Sequence, residues 1–278
     1  MLSYRHAYHA GNYADVLKHL VLARTLEYMT SKDKPLLYLD THAGAGGYHL
    51  GAAMAKKTAE FEEGIGRLWG QPLPDVLTPL MAVLRTMNAK GALEHYPGSP
   101  LVAAQLLRSQ DALRLFELHP SDHRLLIERF SRDRRVRVER SDGFASLKAL
   151  LPPASKRALV LVDPPYENKG DYRQVLKAVL EGYKRFPTGT YLVWYPVVVR
   201  ARVDDMVRGF KSAGVRNLWQ VELGLGPDTP DFGMTSSGLF MINPPWTLPG
   251  ELKDALPLLQ NLIAPEQGRW QLNQLTGE

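Results

Sequence analysis

Short apolar runs alternate along the chain with segments in which apolar residues recur every three to four positions. Seven of the runs have the composition of β-strands, and several of these suit strands that are buried on both faces. They span residues 36–39, 112–117, 136–138, 158–162, 190–194, 218–223 and 238–242. Helical patterns lie between most of them, and such alternation is typical of a largely parallel, doubly wound sheet. The pattern therefore predicts an α/β fold.

Three further segments complete this pattern. Asn12, with Asp15 three residues later, predicts the start of a helix whose apolar period continues to about Met29. Residues 48–100 read as a helical segment that glycine and proline interrupt. About the last dozen residues show no clear period, so we expect them to be weakly ordered.

The run 158–162 ends abruptly in Asp163-Pro164-Pro165-Tyr166. Prolines cannot continue a sheet ladder, so the strand stops there and leaves Asp163 at its end. The carboxylate and the carbonyl region of Pro164 can accept hydrogen bonds from an exocyclic amine, and the ring of Tyr166 can stack on the base that carries it. Acceptors that draw the N–H bonds of an adenine amine out of plane restore the nucleophilicity of N6 toward a sulfonium methyl. The motif predicts amino methyl transfer, with Asp163, Pro164 and Tyr166 as catalytic residues.

A glycine-rich turn follows the first strand and contains Asp40, Gly44 and Gly46. A dinucleotide-binding fingerprint needs a third glycine where this chain has His49. It also needs an acid about 20 residues further on, whereas the first acid at a later strand end is Glu117. The spacing fits the cofactor loop of S-adenosylmethionine (SAM) enzymes better. In such a loop the glycines let the backbone approach the methionine part and Asp40 steadies the turn. A plain tight turn is the structural alternative.

Two later strand ends carry further acids. Glu117 is suited to bind both hydroxyls of a ribose. Asp142 follows the next strand, where it can accept a hydrogen bond from the adenine amino group of the cofactor while Phe144 stacks on the ring. Ligands of open α/β sheets bind outside the carboxyl ends of the strands. We therefore expect the turns that contain Asp40, Glu117, Asp142 and Asp163 to converge on one site.

Three other features have simpler interpretations. Asn243-Pro244-Pro245-Trp246 repeats the amino-methyltransferase pattern, but it follows the last predicted strand. That strand is antiparallel in a seven-stranded methyltransferase sheet, so we interpret the motif as an exit turn. The basic run 132–140 alternates across a strand, which puts its charges on a solvated face. Lys56 and Lys57 are candidates for RNA contact.

Composition narrows the possible classes of protein. The chain has 278 residues and 45% hydrophobic content, enough for one large domain with an insertion or two small domains. It has no cysteine, which excludes disulfides and thiolate sites, and its histidines lack a carboxylate framework, so we expect no metal. No apolar run approaches membrane-spanning length, and we expect a cytoplasmic enzyme. The net charge of +5 is compatible with an RNA partner but modest.

With these residues in place, the chain closely resembles the RlmJ family of bacterial 23S ribosomal RNA adenine-N6-methyltransferases. The matching segments are Met1-Leu2-Ser3-Tyr4-Arg5-His6, His9-Ala10-Gly11-Asn12, Lys18-His19, Leu39-Asp40-Thr41-His42-Ala43-Gly44-Ala45-Gly46, Tyr96-Pro97-Gly98-Ser99-Pro100, Glu117-Leu118-His119-Pro120, Asp142-Gly143-Phe144, Asp163-Pro164-Pro165-Tyr166, Trp194-Tyr195-Pro196-Val197-Val198, Gly233-Met234-Thr235 and Ser237-Gly238. The N-terminal segment and the loop with His42 are more specific than Asp-Pro-Pro-Tyr, which many amino-methyltransferases share. No position expected to act departs from the family pattern.

The resemblance implies a Rossmann-like class I SAM-dependent methyltransferase with a seven-stranded, mostly parallel sheet. Residues 1–47 and 101–278 would form the main domain, with an N-terminal tail folded over the site. Residues 48–100 would form a small helical subdomain, inserted after the first strand-helix unit and able to contact RNA. The implied reaction is methylation of N6 of adenine 2030 in 23S ribosomal RNA, with SAM as the cofactor. We expect a monomer.

The resemblance also implies particular contacts. SAM contacts are implied for His19, His42, Ser99, Glu117, Asp142, Gly143 and Asp163. Lys18 and His19 lie near the start of the first helix, whose dipole favours an anion such as the methionine carboxylate. Tyr4 is implied to touch the substrate, by stacking on a base turned out of its helix or by shielding the cofactor. His6, in the same segment, is expected to bind substrate as well.

Other functions stay open from the residues alone. A DNA adenine or a protein glutamine amino-methyltransferase uses the same Asp-Pro-Pro-Tyr motif. A non-catalytic RNA-binding module with a relic cofactor site is disfavoured because Asp40, Glu117, Asp142 and Asp163 are intact. An NAD oxidoreductase is disfavoured by the missing third glycine and the distant acid.

Overall fold

Strands and helices alternate along residues 4–229 and 233–278, which the computed structural model describes. The strands are β1 Leu37–Asp40, β2 Gly47–His49, β3 His95–Pro97, β4 Ala112–Phe116, β5 Val136–Glu139, β6 Ala158–Val162, β7 Thr190–Val197, β8 Leu218–Gly224, β9 Ser236–Ile242 and β10 Arg269–Thr276. The α-helices are α1 Tyr13–Thr30, α2 Ala53–Thr58, α3 Ile65–Leu68, α4 Thr78–Met87, α5 Ser99–Leu106, α6 Pro120–Phe130, α7 Gly143–Leu150, α8 Asp171–Arg185, α9 Arg200–Ser212 and α10 Leu248–Ile263. Short 3₁₀ helices span His6–Tyr8 and Asp75–Leu77. Met1, Leu2 and Ser3 of the matching N-terminal segment lie outside the described residues.

One large sheet has the strand order β5-β4-β1-β6-β7-β9-β8-β10. The five strands from β5 to β7 in this order are parallel, and β9 lies antiparallel between β7 and β8. All seven strands that the apolar runs predict are present in this sheet. The predicted α/β, mostly parallel, Rossmann-like architecture is confirmed.

The sheet has eight strands in the described part of the chain, not the seven expected. The eighth is β10, which pairs antiparallel with β8 from Arg269↔Gly224 onward, so the expectation of a weakly ordered C-terminal segment is wrong. Trp270 and Leu272 of β10 pack against the core. The polar residues in this strand obscure the alternation of apolar and polar positions that would have predicted it. Backbone hydrogen bonds to β8 hold this strand, and amino-acid composition does not reveal such bonds.

Helix α1, which precedes the first strand, is buried around most of its circumference over its first four turns. Asn12 caps it as predicted, its side chain accepting a hydrogen bond from the backbone N–H of Asp15 at 3.0 Å. The helix packs against α5, α4 and β9. Because it is buried on nearly every side, its charged residues Asp15 and Lys18 lie in the interior and need partners there.

Residues 47–97 lie between β1 and the crossover helix α5. They begin and end in a two-stranded antiparallel hairpin of β2 and β3 and enclose α2, α3 and α4. α4 packs on α1, and Leu80 and Leu84 of α4 belong to the same hydrophobic cluster as Leu17 and Leu20 of α1. The segment is therefore packed onto the main sheet domain.

The carboxyl ends of the parallel strands all lie at one end of the sheet. The Asn243–Trp246 turn lies at the opposite end of the strands because β9 is antiparallel to them. There the Asn243 amide donates to the carbonyls of Pro187 and Gly189, both at 2.8 Å, and Trp246 is 81% exposed. The interpretation of this motif as a structural exit turn is confirmed. Strand β5 exposes Arg137 and Glu139, as expected for the basic run.

Candidate active site

A cavity of about 770 Å³ opens at the carboxyl ends of β1, β4, β6 and β7. This volume is in the upper part of the range for small-molecule sites, and the position is where open α/β sheets bind ligands. The residues that the sequence proposes for the site and that line this cavity are Tyr4, His6, Lys18, His19, His42, Gly44, Ser99, Glu117, Gly143, Asp163, Pro164 and Tyr166. Four others, Asp40, Gly46, Asp142 and Phe144, lie beside or beneath it without lining it.

Asp40 lies fully buried beneath the turn that follows β1. One carboxylate oxygen accepts hydrogen bonds from the hydroxyls of Ser99 at 2.7 Å and Tyr38 at 2.8 Å. Burial raises the pKa of Asp40 to about 6, against the effect of these donors. Asp40 therefore orders the cavity floor by holding Ser99, which lines the cavity.

The glycines of this turn are required by backbone geometry and by close contacts. Gly44 and Gly46 have φ values of +60° and +77°, in the left-handed region that favours glycine. A Cβ at Gly44 would lie 2.5 Å from the hydroxyl of Tyr48. At Gly143 a Cβ would lie 1.9 Å from the carbonyl oxygen of Thr41, so the turns after β1 and β5 touch through their backbones.

Glu117 lies at the end of β4 and faces the cavity. It accepts hydrogen bonds from the backbone N–H of Gly44 at 2.8 Å and of His119 at 2.6 Å. Burial raises the pKa of Glu117, and the two backbone donors oppose that rise. The carboxylate thus joins the β1 and β4 turns.

Asp142 is exposed at the start of α7, where its side chain caps the helix by accepting from the backbone N–H of Phe144 at 2.9 Å. The Phe144 ring packs edge-on against His42, with 4.9 Å between ring centroids. Both residues therefore border the cavity wall that His42 and Gly143 form. Of this turn, the structure brings Gly143 into the lining and leaves Asp142 and Phe144 at its margin.

Burial favours the neutral form of two histidines in the cavity wall. Burial lowers the pKa of both His19 and His42 to about 3. His19 Nδ1 hydrogen bonds with the Tyr96 hydroxyl at 3.0 Å, while His19 Nε2 is buried and has no partner within the described residues. A buried ring nitrogen left unpaired in a cavity wall is a group that a polar ligand can satisfy.

This wall fits SAM. Glu117 offers carboxylate oxygens suited to a ribose, Gly44 and Gly143 offer close backbone approach, and His19 offers an unpaired nitrogen for a polar group of the methionine part. Apolar cavity surface accompanies these few polar groups, as in most cofactor sites.

Asp163 lies at the end of β6, also in the cavity lining, and forms an ion pair with Lys18 of α1. Lys18 Nζ is 2.6 Å from Asp163 Oδ2 and 2.8 Å from Asp15 Oδ1. Burial raises the pKa of Asp163, and the ammonium of Lys18 opposes this rise. The two carboxylates raise the pKa of Lys18 against its burial, so it carries a full positive charge.

The N-terminal segment extends this chain of polar contacts. The Tyr4 hydroxyl hydrogen bonds with His6 Nδ1 at 2.9 Å, and His6 Nε2 lies 2.9 Å from Asp15 Oδ2. Despite burial, His6 and Lys18 hold the pKa of Asp15 well below its usual range. Contacts therefore run without a break from Tyr4 through His6, Asp15 and Lys18 to Asp163.

Further contacts hold the N-terminal segment, whose residues Tyr4, His6 and His9 line the cavity. The Tyr4 ring stacks on His9, with centroids 5.6 Å apart and ring planes 13° from parallel. His9 Nδ1 lies 2.9 Å from Glu60 Oε1, and Arg5 pairs with Asp122 at 3.2 Å. The segment thus contacts both the 47–97 region and α6.

Tyr166 has φ +50°, an uncommon conformation for a residue with a bulky side chain. Its hydroxyl donates to the carbonyl of Trp194 at 2.8 Å, and its ring packs against Tyr172 with centroids 4.6 Å apart. This arrangement fixes the Tyr166 ring in the cavity wall beside Pro164 and Trp194.

Sequence reasoning did not propose Asp15 or Trp194 as site residues, although both line the cavity. Asp15 was interpreted only as part of a capping pattern; the signal that could have found it is an acid three residues before Lys18 in a helix apolar on all sides. Trp194 stands in a segment quoted only for the resemblance, and its ring lies 5.7 Å from Lys18 Nζ.

No group of three potential metal-binding side chains occurs among residues 4–229 and 233–278. Within the same part of the chain, no helix has the length and apolar character needed to cross a membrane.

Comparisons with known proteins identify relatives over nearly the whole chain. The family model described as "Ribosomal RNA large subunit methyltransferase D, RlmJ" matches residues 33–276. The Ribosomal RNA large subunit methyltransferase J of Escherichia coli K12 is 52% identical over 266 residues, 95% of each chain. The protein of the same name from Haemophilus influenzae is 50% identical and covers 100% of each chain. A crystal structure from Legionella pneumophila superposes with a TM-score of 0.90 at 40% identity, over 96% of this chain and 98% of that one.

Proposed function

Because the chain belongs to the RlmJ family of ribosomal RNA large subunit methyltransferases, we propose that it transfers a methyl group from SAM to an adenine N6 of 23S ribosomal RNA. By the family resemblance the target is adenine 2030, and the RNA substrate implies action in the cytoplasm. The observation that carries the proposal is the position of Asp163, Pro164 and Tyr166 in the same cavity as the glycine turn and Glu117.

The cofactor side of the cavity consists of the turns after β1, β4 and β5. Glu117 is suited to the ribose hydroxyls, and Gly44 and Gly143 allow the backbone to approach the ligand. His19 and Ser99 face the cavity where polar groups of the methionine part would need partners. When bound there, SAM supplies an electrophilic sulfonium methyl group.

The base side of the cavity consists of the β6 and β7 ends. The target adenine, turned out of its RNA helix, stacks on Tyr166, whose ring Tyr172 and Trp194 hold in place. Asp163 and the carbonyl region of Pro164 accept hydrogen bonds from the N6 amine. These acceptors would pull the lone pair of N6 out of conjugation and so prepare N6 to accept the methyl group that bound SAM would supply.

Asp163 then acts as the proton acceptor. Methylated N6 is cationic and acidic, so its surplus proton passes to Asp163 directly or through water. Lys18 opposes protonation of Asp163 before that moment, because its ammonium lies 2.6 Å from the carboxylate. Asp15 in turn balances the charge of Lys18, so that the Asp163 carboxylate retains its negative character.

The rival substrates use the same motif and differ in what surrounds it. The names of the relatives favour RNA over DNA or protein glutamine. A relic RNA-binding module is disfavoured by the intact contacts of Glu117 with Gly44 and of Lys18 with Asp163.

Methyl transfer from labelled SAM to protein-free, unmodified large-subunit ribosomal RNA tests the proposal. Digestion to nucleosides should show label in N6-methyladenosine. Asp163→Asn should lower the rate at least about 100-fold while SAM affinity changes little. Asp254→Asn, an exposed acid on α10, is the matched control and should keep the rate.

Two results would contradict the proposal. Label that appears only when DNA or a glutamine-containing protein replaces the RNA would assign a different substrate. A near-normal rate in Asp163→Asn would remove Asp163 from the mechanism.

A further inference from the structure

Three large aliphatic side chains are exposed beside the base side of the cavity. Val198 and Val199, just after β7, are 41% and 42% exposed, and Leu225, just after β8, is 43% exposed. Val198 and Leu225 line the same cavity as Tyr166 and Trp194. We call Val198, Val199 and Leu225 the apolar ledge. Aliphatic groups that lie exposed together beside a ligand cavity are a candidate contact surface.

A single residue connects the backbones of the two halves of the ledge. Thr235, just before β9, donates its backbone N–H to the Val197 carbonyl at 2.9 Å and accepts from the Leu225 N–H at 3.1 Å. Val197 and Gly224 also both pair with Ser236 in the sheet. The two halves therefore lie about two strand spacings apart, roughly 10 Å.

An ionic cluster that includes buried Glu222 adjoins the ledge. Arg200 donates to both carboxylate oxygens of buried Glu222, at 2.7 and 2.9 Å, and to Asp228 at 2.7 Å. Asp228 accepts from the Thr235 hydroxyl at 2.9 Å, which ties the cluster to the residue that joins the ledge. These contacts neutralise Arg200 and hold the backbone near both halves of the ledge. The ordered backbone keeps the apolar side chains of the ledge exposed.

A cation that forms no ion pair with the described residues lies next to the ledge. The Arg202 guanidinium lies 5.7 Å from the Tyr172 ring centroid, and the Tyr172 hydroxyl donates to the Pro196 carbonyl at 2.8 Å. Arg202 forms no ion pair with any residue in the described ranges. Because Tyr172 also packs on Tyr166, this cation lies near both the ledge and the base side of the cavity.

We propose that the apolar ledge receives the nucleotide that adjoins the target adenine, its base packing on Val198 and Leu225 and its phosphate facing Arg202. This inference rests on the proposed function, since the ledge continues the surface that holds the target base. An unpaired RNA base presents an apolar face and a neighbouring anion, and the structure offers the matching aliphatic surface and free cation side by side. The ledge thereby favours a substrate whose target adenine and neighbour are both unstacked.

The test compares two matched double variants on the same ribosomal RNA transcript. The ledge variant is Val198→Thr with Leu225→Ser. The control is Ile127→Thr with Leu125→Ser on α6, where the side chains are 45% and 42% exposed and do not line the cavity. Both variants replace one β-branched residue and one leucine at the surface, so general effects on folding should match.

The ledge variant should raise the KM for RNA about tenfold, with SAM affinity unchanged. A transcript with 2-aminopurine beside the target should change fluorescence on binding to the wild type and the control, and much less with the ledge variant. Equal KM values and equal fluorescence changes in the two variants would overturn the inference.

The outcomes also separate this inference from the proposed function. If the wild type forms N6-methyladenosine and the ledge variant behaves like the control, only the ledge assignment fails. If the wild type forms no N6-methyladenosine in the RNA, the proposed function fails and the ledge assignment fails with it. A protein ligand on the ledge would appear as unchanged RNA kinetics, which is an overturning result.

Discussion

Lys18 and Asp163, 145 residues apart in the chain, form an ion pair with 2.6 Å between Nζ and Oδ2. The lysine comes from the helix that precedes the first strand, and the aspartate from the motif that follows β6. Burial raises the pKa of Asp163 and so disfavours its carboxylate form, and the ammonium of Lys18 opposes that rise. The ionisation state of the proposed catalytic group is thus set by a distant part of the sequence.

Lys18→Met should shift the acidic limb of the pH–rate profile to higher pH. Without the ammonium, burial raises the pKa of Asp163 further, so the carboxylate is protonated over a wider range of pH. The variant should also lose about 3–5 kcal/mol of stability, because two buried carboxylates lose their shared cation. Single-turnover rates against pH and urea unfolding measure the two effects, and Lys253→Met on α10 is the exposed control. An unmoved profile would contradict the role assigned to Lys18.

Asp40 should make stability depend on pH. The folded protein retains the Asp40 proton up to about pH 6, whereas the ordinary pKa is 3.8. The unfolded chain therefore releases this proton first, and the contribution of Asp40 to stability falls as pH rises between these values. The stability difference between wild type and Asp40→Asn should decrease by about 2 kcal/mol from about pH 4.5 to about pH 7.5. Urea midpoints at the two pH values test this, and parallel profiles would be inconsistent with a raised pKa.

Gly143→Ala should destabilise the protein and impair SAM binding, because the added Cβ meets the carbonyl of Thr41 at 1.9 Å. Displacing one backbone segment costs about 3 kcal/mol or more. Gly250→Ala is the matched control: no atom lies within 4 Å of its Cβ, and the substitution should be neutral or stabilise α10 by up to about 1 kcal/mol. Thermal unfolding with and without SAM distinguishes them, and equal effects would show that the β1–β5 contact is not tight.

Glu60→Gln should lower the pKa of His9 toward its ordinary value of 6.5. The hydrogen bond with Glu60 raises that pKa, so the pair stabilises the N-terminal segment below the unfolded pKa and loses this effect as pH rises through the folded value. An NMR titration of the His9 ring measures the change. Glu62→Gln, an exposed neighbour, should leave the His9 titration as it is, and a similar shift in both variants would argue against the specific pair.

Much of the fold was predictable because it follows local pattern. The strand Ala158–Val162 and the cap at Asn12 stand where the apolar runs and the capping rule placed them. Strand β10 was not predictable, because apolar and polar residues alternate only weakly in it and backbone pairing with β8 holds it in place. Residues 47–97 gave helical patterns, but the hairpin that closes this segment joins strands of only three residues each.

The residues of the site likewise fall into those that local motifs predict and those that depend on packing. Motifs at strand ends placed Glu117 and Asp163 at one edge because parallel strands end together. Sequence spacing gave no sign that Asp15 and Asp163 share Lys18, because that contact depends on how α1 packs under the sheet. The same holds for the apolar ledge, whose halves follow two strands that are not neighbours in the sheet.

Strand β10 forms one outer edge of the sheet and covers the backbone of β8. Without residues 269–276, the backbone of β8 would be the open edge of the sheet, above side chains that are almost all buried. An open, apolar edge of this kind recruits strands from other copies of the same chain. β10 covers it and exposes Asn273 and Gln274. The last strand therefore serves as protection against aggregation, and its removal should lower the solubility of the protein.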